Sequence, residues 1–476
     1  MILGIDQGTT GTTCLVVDET LRPRGRGYRE VPQHFPRPGW VEHDPEELWE
    51  SVLGAAEDAL ADAGLDASEL AGIGITNQRE TTVVWDRRSG EPVHRAVVWQ
   101  DRRTAERCKD LPGELLRDRT GLVPDPYFSA TKLEWILSER DASGLAFGTV
   151  DSWLTWRLTS GAVHATDVSN ASRTLLFDIR SLEWDDELLE LFGVPASVLP
   201  LVVPSSGVVA EGELLGARLP IAGIAGDQQA ALFAQGCLRP GQAKATYGTG
   251  SFVLVNVGLD PGEPRDGLVQ TVAWRLDGEP AAYALEGSIF VTGAALQWLR
   301  DGLGLLGDSE ESEALARSLE GNDGVYFVPA LTGLGSPHWA PEARGLILGL
   351  HRGAGRAHLV RAALEAIAYQ VRDVVDAVGA KLELLRADGG GAANRFLMQL
   401  QADVARVPVE VPEERETTAL GAAALAGLGV GLWSSPEEIA AAWRLSARYE
   451  PKLPAEEAER LVGEWRAAVR RALLPD

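Results

Sequence analysis

The sequence predicts an α/β protein built from two related lobes with a ligand cleft between them. Three observations carry that expectation. The chain has 476 residues, too many for one typical core and suited to two domains of similar size. A Gly/Thr/Ser-rich hairpin occurs once in each half. Ile2-Leu3-Gly4-Ile5 leads through Asp6-Gln7-Gly8-Thr9-Thr10-Gly11-Thr12-Thr13 into Cys14-Leu15-Val16-Val17, and Lys244-Ala245-Thr246 leads through Tyr247-Gly248-Thr249-Gly250-Ser251 into Phe252-Val253-Leu254-Val255. Each half also carries a later apolar strand whose acidic or glycine-rich end opens a helix: 221–226 before Asp227, and 385–387 before Asp388-Gly389-Gly390-Gly391. This is duplication at the level of structure, since literal sequence repetition is weak. Glycine lets backbone N–H groups converge on an anion and the hydroxyls add donors, so two facing turns suit the phosphates of one nucleotide.

The elements follow in order. After the first hairpin a third strand is expected near 28–31. Asp44 before Pro45 is a helix start, with Glu47 at the capping-box position and Leu48, Val52, Ala55 and Ala59 at helical spacing. A buried strand at 71–76 ends in the polar run Asn77-Gln78-Arg79-Glu80-Thr81-Thr82, and Val83-Val84-Trp85 forms the next strand. Polar residues at the end of a buried strand are common ligand contacts in open α/β sheets. The strand 221–226 opens a helix at Ala230-Ala231-Leu232-Phe233, and 236–241 reads as the boundary between lobes 1–238 and 239–476. Gly389 to Asn394 opens a helix through Phe396 and Leu400, and 454–474 is expected to be an amphipathic helix.

Composition removes several function classes. Hydrophobic and charged fractions of 45% and 24% are those of a globular protein. A formal charge of −25 repels nucleic acid and anionic membrane, whereas local donors and Mg²⁺ still permit ATP. The three cysteines, Cys14, Cys108 and Cys237, are scattered without a CxxC pair, which argues against a disulfide framework or a Cys-rich zinc site. The seven histidines show no metal-binding spacing. No signal-peptide pattern and no run of membrane-spanning length is evident, so no membrane insertion and a cytoplasmic location are expected. There is no GxxxxGK[ST] and no GxGxxG after the first strand. Carboxylates at strand ends with Gly/Thr turns remain, an inventory suited to phosphoryl transfer.

Asp6 stands where a buried strand meets the first turn, a place for a hydrated Mg²⁺ ligand or for an Asx-turn residue. Asp227 stands at a strand end and helix start, as a helix cap or as a general base. Arg79 and Glu80 are an adjacent donor–acceptor pair, able to grip a polyhydroxyl ligand or to lie solvated on the surface. Trp99 and Phe252 can pack on the C–H face of a small polyol or simply build core. The Gly389–Gly391 loop can approach an adenine ring or be an ordinary strand–helix turn.

Several stretches together make the chain resemble the FGGY carbohydrate kinase family, and within it the members that phosphorylate glycerol. They are Asp6 to Thr10, Pro38-Gly39-Trp40-Val41-Glu42-His43-Asp44-Pro45, Gly74 to Thr82, Gly121-Leu122-Val123 with Asp125-Pro126-Tyr127-Phe128-Ser129, Ser169-Asn170-Ala171-Ser172-Arg173-Thr174, Gly223 to Phe233, Thr332-Gly333-Leu334-Gly335, and 345–365. The resemblance runs from Ile2 to the tail. It implies two actin/ribonuclease-H-like lobes closing over an interlobe active site, and ATP-dependent conversion of glycerol to sn-glycerol 3-phosphate. By position, the polyol site it implies is Arg79, Glu80, Trp99, Tyr127, Asp227, Gln228 and Phe252, with Asp227 the catalytic base. The implied nucleotide site is Thr9, Thr10, Gly11, Thr13, Thr249, Gly293, Gln297, Gly390 and Asn394, and the implied Mg²⁺ ligands are Asp6 and Asp227. A homo-oligomer, dimer or tetramer, is implied as well. The alternatives are a sister kinase of another polyol or ketose, and an actin-like nucleotide-gated scaffold. Three features depart from the family pattern. Thr13 stands where many members have an arginine near the phosphates. The segment 211–218 is short and lacks the histidine and the length that some members use for regulation. The tail after Pro451 does not match the surface by which enteric members bind a sugar-transport regulator.

Overall fold

The computed structural model describes residues 1–308 and 310–474; residues 475 and 476, at the end of the second predicted lobe, lie outside the described residues. Two mixed sheets organise the chain. The first has six strands in the order Ser206–Leu214, Ala217–Gly226, Gly72–Asn77, Ile2–Gln7, Gly11–Val17 and Pro23–Glu30. The second has seven, Val269–Trp274, Ala282–Ile289, Ser251–Gly258, Gln242–Tyr247, Leu384–Asp388, Val409–Pro412 and Leu445–Tyr449. Both repeat one path. An antiparallel hairpin is extended by a third antiparallel strand on one side, and two later strands join in parallel on the other. The register separates the acids of the two halves. Asp6 lies on the first hairpin strand opposite Thr13 and beside Thr76, whereas in the second sheet Thr246 takes that place and Asp388 stands beside it.

Local signals account for most element ends. Asp44 caps the helix Pro45–Ala63 by accepting the Glu46 N–H at 3.0 Å, and Gly64 ends it at φ +67°. Glu47 does not close a capping box there. Its carboxylate holds His34 Nε2 at 2.9 Å instead. Gly226, rather than Asp227, is the cap of the helix Asp227–Ala234, which leaves the Asp227 side chain on the first turn. Asn394 caps Arg395–Ala405 by accepting the Leu397 N–H at 3.0 Å. The short segment 211–218 is the tip of an antiparallel hairpin that turns at Leu215 (φ +49°) and Gly216 (φ +81°). The tail helix Ala455–Ala472 buries Val462, Trp465 and Val469 in the second core, and Trp465 Nε1 donates to Asp373 Oδ2 at 2.7 Å.

The helix Thr417–Gly429 comes from the second half of the sequence but packs on the first sheet. Glycines on three neighbouring strands make room for it. A Cβ added at Gly4 would lie 2.2 Å from the Ala419 carbonyl oxygen, at Gly74 2.0 Å from that of Ala422, and at Gly223 2.4 Å from the Ala426 nitrogen. The helix side is matched, with Ala419, Ala422, Ala423 and Ala426 all fully buried. Ala225, Phe233, Leu254, Trp274 and Ala423 belong to one apolar cluster, so the seam between the sheets is itself core. No described helix is long and apolar enough to cross a membrane. Gly74→Ala should therefore cost about 1–3 kcal/mol of stability, because backbone rather than a movable side chain opposes the new methyl group. Urea unfolding of the variant checks this, and an unchanged midpoint would show that the helix can lift off without penalty.

Candidate active site

The polar loop after Gly72–Asn77 carries Arg79 into the seam, where its side chain is 2% exposed. Its terminal nitrogens pair with both carboxylate oxygens of Glu286, on strand Ala282–Ile289 of the other sheet, at 2.6 and 2.9 Å. The same nitrogens reach Gln229 Oε1 at 3.2 Å and the Tyr127 hydroxyl at 3.3 Å, and Nε lies 3.2 Å from Asp227 Oδ1. Arg173 repeats the motif: Nε donates to Glu80 Oε1 at 2.7 Å and Nη2 to Glu286 Oε1 at 3.1 Å. Buried charges persist only when paired. Burial pushes the Glu286 carboxyl up, but the Arg173 and Arg79 charges outweigh it and bring it down to about 2. For Glu80 burial wins over the same two arginines, and its carboxyl is raised. Glu80 also sits at φ +63°, a strained conformation for a residue with a side chain, fixed by Thr82 and Ser129 hydroxyls donating to its carbonyl.

Asp227 heads its helix with the side chain 27% exposed, open to a ligand. Asp6 faces it from the first hairpin. Burial first, and then the Asp227 charge, push the Asp6 carboxyl up to about 7, although Thr418 Oγ1 donates to Asp6 Oδ2. Gln228, next to Asp227, receives the Lys244 ammonium on Oε1, and Lys244 also donates to Thr246 Oγ1 at 2.8 Å. That bond turns the Gln228 amide so that its NH₂ is left for another acceptor. Lys244 is fully buried on the second hairpin, and burial lowers its pKa.

The apolar wall draws on both halves. Trp99 meets Tyr127 edge-on at 5.5 Å and Phe252 at 6.4 Å between ring centroids. Trp99 Nε1 donates to Thr9 Oγ1 at 2.9 Å, which ties this wall to the first Gly/Thr turn. The Tyr127 loop is held from below by Lys132, whose ammonium donates to the carbonyls of Pro126, Tyr127 and Phe128 at 2.9, 2.7 and 2.6 Å.

A cavity of about 480 Å³ opens in the second half, lined by Thr249, Gly293, Gln297, Gly390 and Asn394 among others. Those are the nucleotide residues expected on that side. The first-hairpin residues Thr9, Thr10, Gly11 and Thr13 do not line it. Thr13 is buried within its strand, and a Cβ at Gly11 would lie 2.5 Å from the Tyr28 hydroxyl, so packing alone accounts for that glycine. Gly293 differs, because its own closeness to the Gly248 carbonyl, 2.6 Å from an added Cβ, keeps the second turn tight against the cavity.

The structure thus gathers Arg79, Glu80, Trp99, Tyr127, Asp227, Gln228 and Phe252, with Asp6 facing Asp227. Sequence reasoning missed the pairings of Arg173, Glu286, Lys244 and Lys132. Glu286 and Lys244 each stand alone as a charge in an apolar strand, a pattern that signals a buried, partnered group. One further group among the described residues brings metal-type ligands together: Asp323, His351 and His358. Backbone N–H groups of Gly353 and Gly355 donate to Nδ1 of His351 and His358, both at 3.1 Å, so the Nε2 atoms carry the protons and the set is not prepared for a cation.

Two sheets of repeated topology, a turn-lined cavity and a polar pocket with a carboxylate at their junction define a two-lobed kinase of small molecules. The chain belongs to the FGGY family of carbohydrate kinases: residues 1–234 match the family's N-terminal domain and 243–430 its C-terminal domain. It is 53% identical to glycerol kinase 2 of Thermotoga maritima, covering 99% of this chain and 98% of that one. It is 54% identical to the glycerol kinase of Symbiobacterium thermophilum, with the same coverage. Among solved structures, the Plasmodium falciparum glycerol kinase with ADP aligns at a TM-score of 0.93 and 35% identity, covering 100% of this chain and 98% of that one.

Lys244→Met retains length and removes the charged donor to Gln228. It should raise the KM for the hydroxyl-bearing substrate about tenfold, the value of one charged hydrogen bond, and leave the KM for ATP unchanged. Steady-state kinetics against each substrate separate the two constants. Equal rises in both would make Lys244 a general structural residue.

Proposed function

We infer that this chain is an ATP-dependent kinase that converts glycerol to sn-glycerol 3-phosphate. The single observation that carries this reading is the pocket in which Arg79 Nε lies 3.2 Å from Asp227 Oδ1 between aromatic side chains of both halves. The pocket has few donors, a small apolar wall and one accessible carboxylate, which suits a short polyol. The relatives' activity on glycerol agrees with it.

In the mechanism, Arg79, Glu80 and the Gln228 amide orient the hydroxyls, and Trp99, Tyr127 and Phe252 cover the carbon chain. The terminal hydroxyl attacks the γ-phosphorus of ATP as its proton passes to Asp227; the bond to the bridging oxygen breaks and ADP leaves. Thr249, Gly293, Gln297, Gly390 and Asn394 hold the nucleotide from the second half, while the turn at Thr9 to Gly11 approaches the phosphates from the first. Thr13 supports that turn from within its strand. Mg²⁺ fits the acidic pair. Asp6 is half-buried, its carboxyl is raised first by desolvation and then by the neighbouring Asp227 charge, and a divalent ion would relieve the repulsion. Asp6 and Asp227 would hold the ion, which when bound neutralises phosphate charge.

The lobes divide at 238/239, with Thr417–Gly429 reaching back to the first sheet. A cytoplasmic setting agrees with three free, buried cysteines. We also propose a homodimer or homotetramer, which light scattering of the purified chain would measure.

Asp227→Asn should lower kcat by about 10² or more while the KM for glycerol stays within a few-fold. Near-normal turnover would remove the base assigned here. A panel of glycerol, dihydroxyacetone, erythritol and xylulose, scored by ADP release, should show glycerol with the highest kcat/KM. A higher value for xylulose would shift the assignment to a ketose kinase, and a polyol-independent rate would shift it to a nucleotide-gated scaffold.

A further inference from the structure

An arginine side chain has five N–H donors, four of them on its two terminal nitrogens. In Arg79 those four are taken: two by Glu286 at 2.6 and 2.9 Å, one by Gln229 at 3.2 Å and one by Tyr127 at 3.3 Å. Only Nε–H is left without a fixed hydrogen bond, and Nε lies 3.2 Å from the Asp227 carboxylate. A planar group held at four points cannot turn another edge to a ligand. The choice of edge is therefore made largely by Glu286 and Gln229, which supply three of the four contacts and are not among the polyol-site residues. The largest share falls to Glu286, which is fully buried and comes from the opposite sheet.

We propose that Glu286 is a positioning residue for the polyol site. It holds the Arg79 guanidinium across the seam so that the Nε–H edge, and no other, serves the substrate hydroxyl beside Asp227. Arg173 completes the arrangement by donating to both Glu286 and Glu80, which sets the two polyol-binding side chains relative to one another. The polyol pocket is then complete only when both sheets are in place. A lysine at 79 could not replace the arginine, because a single ammonium cannot bond Glu286 through two atoms and still offer a separate N–H. This inference rests on the polyol kinase reading above.

The test is steady-state kinetics of the full chain carrying Glu286→Gln or Glu286→Asp, with thermal unfolding measured in parallel. Glutamine presents one acceptor and one donor to an arginine that offers only donors. It should raise the KM for glycerol about tenfold or more and leave the KM for ATP within about twofold. Aspartate keeps the charge one methylene short and should give an intermediate rise of about threefold. A purely structural role predicts a different pattern, with lower thermal stability and less active enzyme at an unchanged KM for glycerol. If Glu286→Gln does not fold, Glu286→Asp alone decides. A glycerol KM within about 1.5-fold of wild type in the folded variant overturns the proposal. A wild-type chain inactive on glycerol would overturn the activity and this inference together, whereas an active wild type with unmoved variants overturns this inference alone.

Discussion

The approach of the helix Thr417–Gly429 to the first sheet is the contact on which the rest of the molecule depends. Glycine on one side and alanine on the other bring backbone against backbone, a separation that no larger side chain permits. Because the helix starts at that point, its first two residues stand between the acids of the two halves. Thr417 donates to Asp388 Oδ2 at 2.6 Å, and Thr418 donates to Asp6. Adjacent residues of one helix turn thus reach a carboxylate on each sheet. A small shift of the helix would break both bonds at once, so the spacing of the two acids follows from apolar packing several residues away.

The seam then concentrates charge that this packing has dried. Arg79, Arg173, Glu80 and Glu286 alternate in sign and are each nearly inaccessible to water. Such a cluster is a poor source of net stability, since desolvation takes back much of the attraction. Its value lies in direction. Each guanidinium is planar and each carboxylate offers two oxygens, so the set fits together in few ways. Lys132 and Lys244 work similarly at smaller scale: one gathers three carbonyls under Tyr127, and the other turns the Gln228 amide. Burial lowers the Lys132 ammonium to about 7.

Much of this was legible in the chain. Both hairpins, the strand before Asn77 and the strand before Asp227 follow from apolar runs broken by Gly, Thr and Asp, since those patterns are local. The polyol residues came from polar side chains at the ends of buried strands together with the family resemblance. What could not be read was who pairs with whom. Glu286 in Ala-Tyr-Ala-Leu-Glu-Gly-Ser-Ile announces a buried charge, but its partner lies 207 positions earlier and meets it only through the stacking of two sheets. The capping box at Glu47 failed for a related reason. A distant histidine competed for the carboxylate, and local spacing holds no information about that. The placement of Thr417–Gly429 on the first sheet is likewise a tertiary fact, hidden in glycines that resemble ordinary small residues.

The two ligand sites are built on different principles, and this bears on how the reaction is kept from water. Every residue lining the 480 Å³ cavity lies between Tyr247 and Leu397, so the cavity proposed for the nucleotide belongs to one half of the chain. The polyol side takes Arg79, Trp99, Tyr127 and Asp227 from one half and Phe252 and Glu286 from the other. The proposed polyol pocket, in contrast, is complete only with both halves in register. In the proposed mechanism the first hairpin, with Asp6 and Thr9, meets the phosphates from the other side. It is joined to the polyol wall through the bond from Trp99 to Thr9. A polyol seated against Trp99 would therefore bear directly on the turn proposed to meet the γ-phosphate. In the proposed reaction, that contact is where a hydroxyl acceptor would be favoured over water.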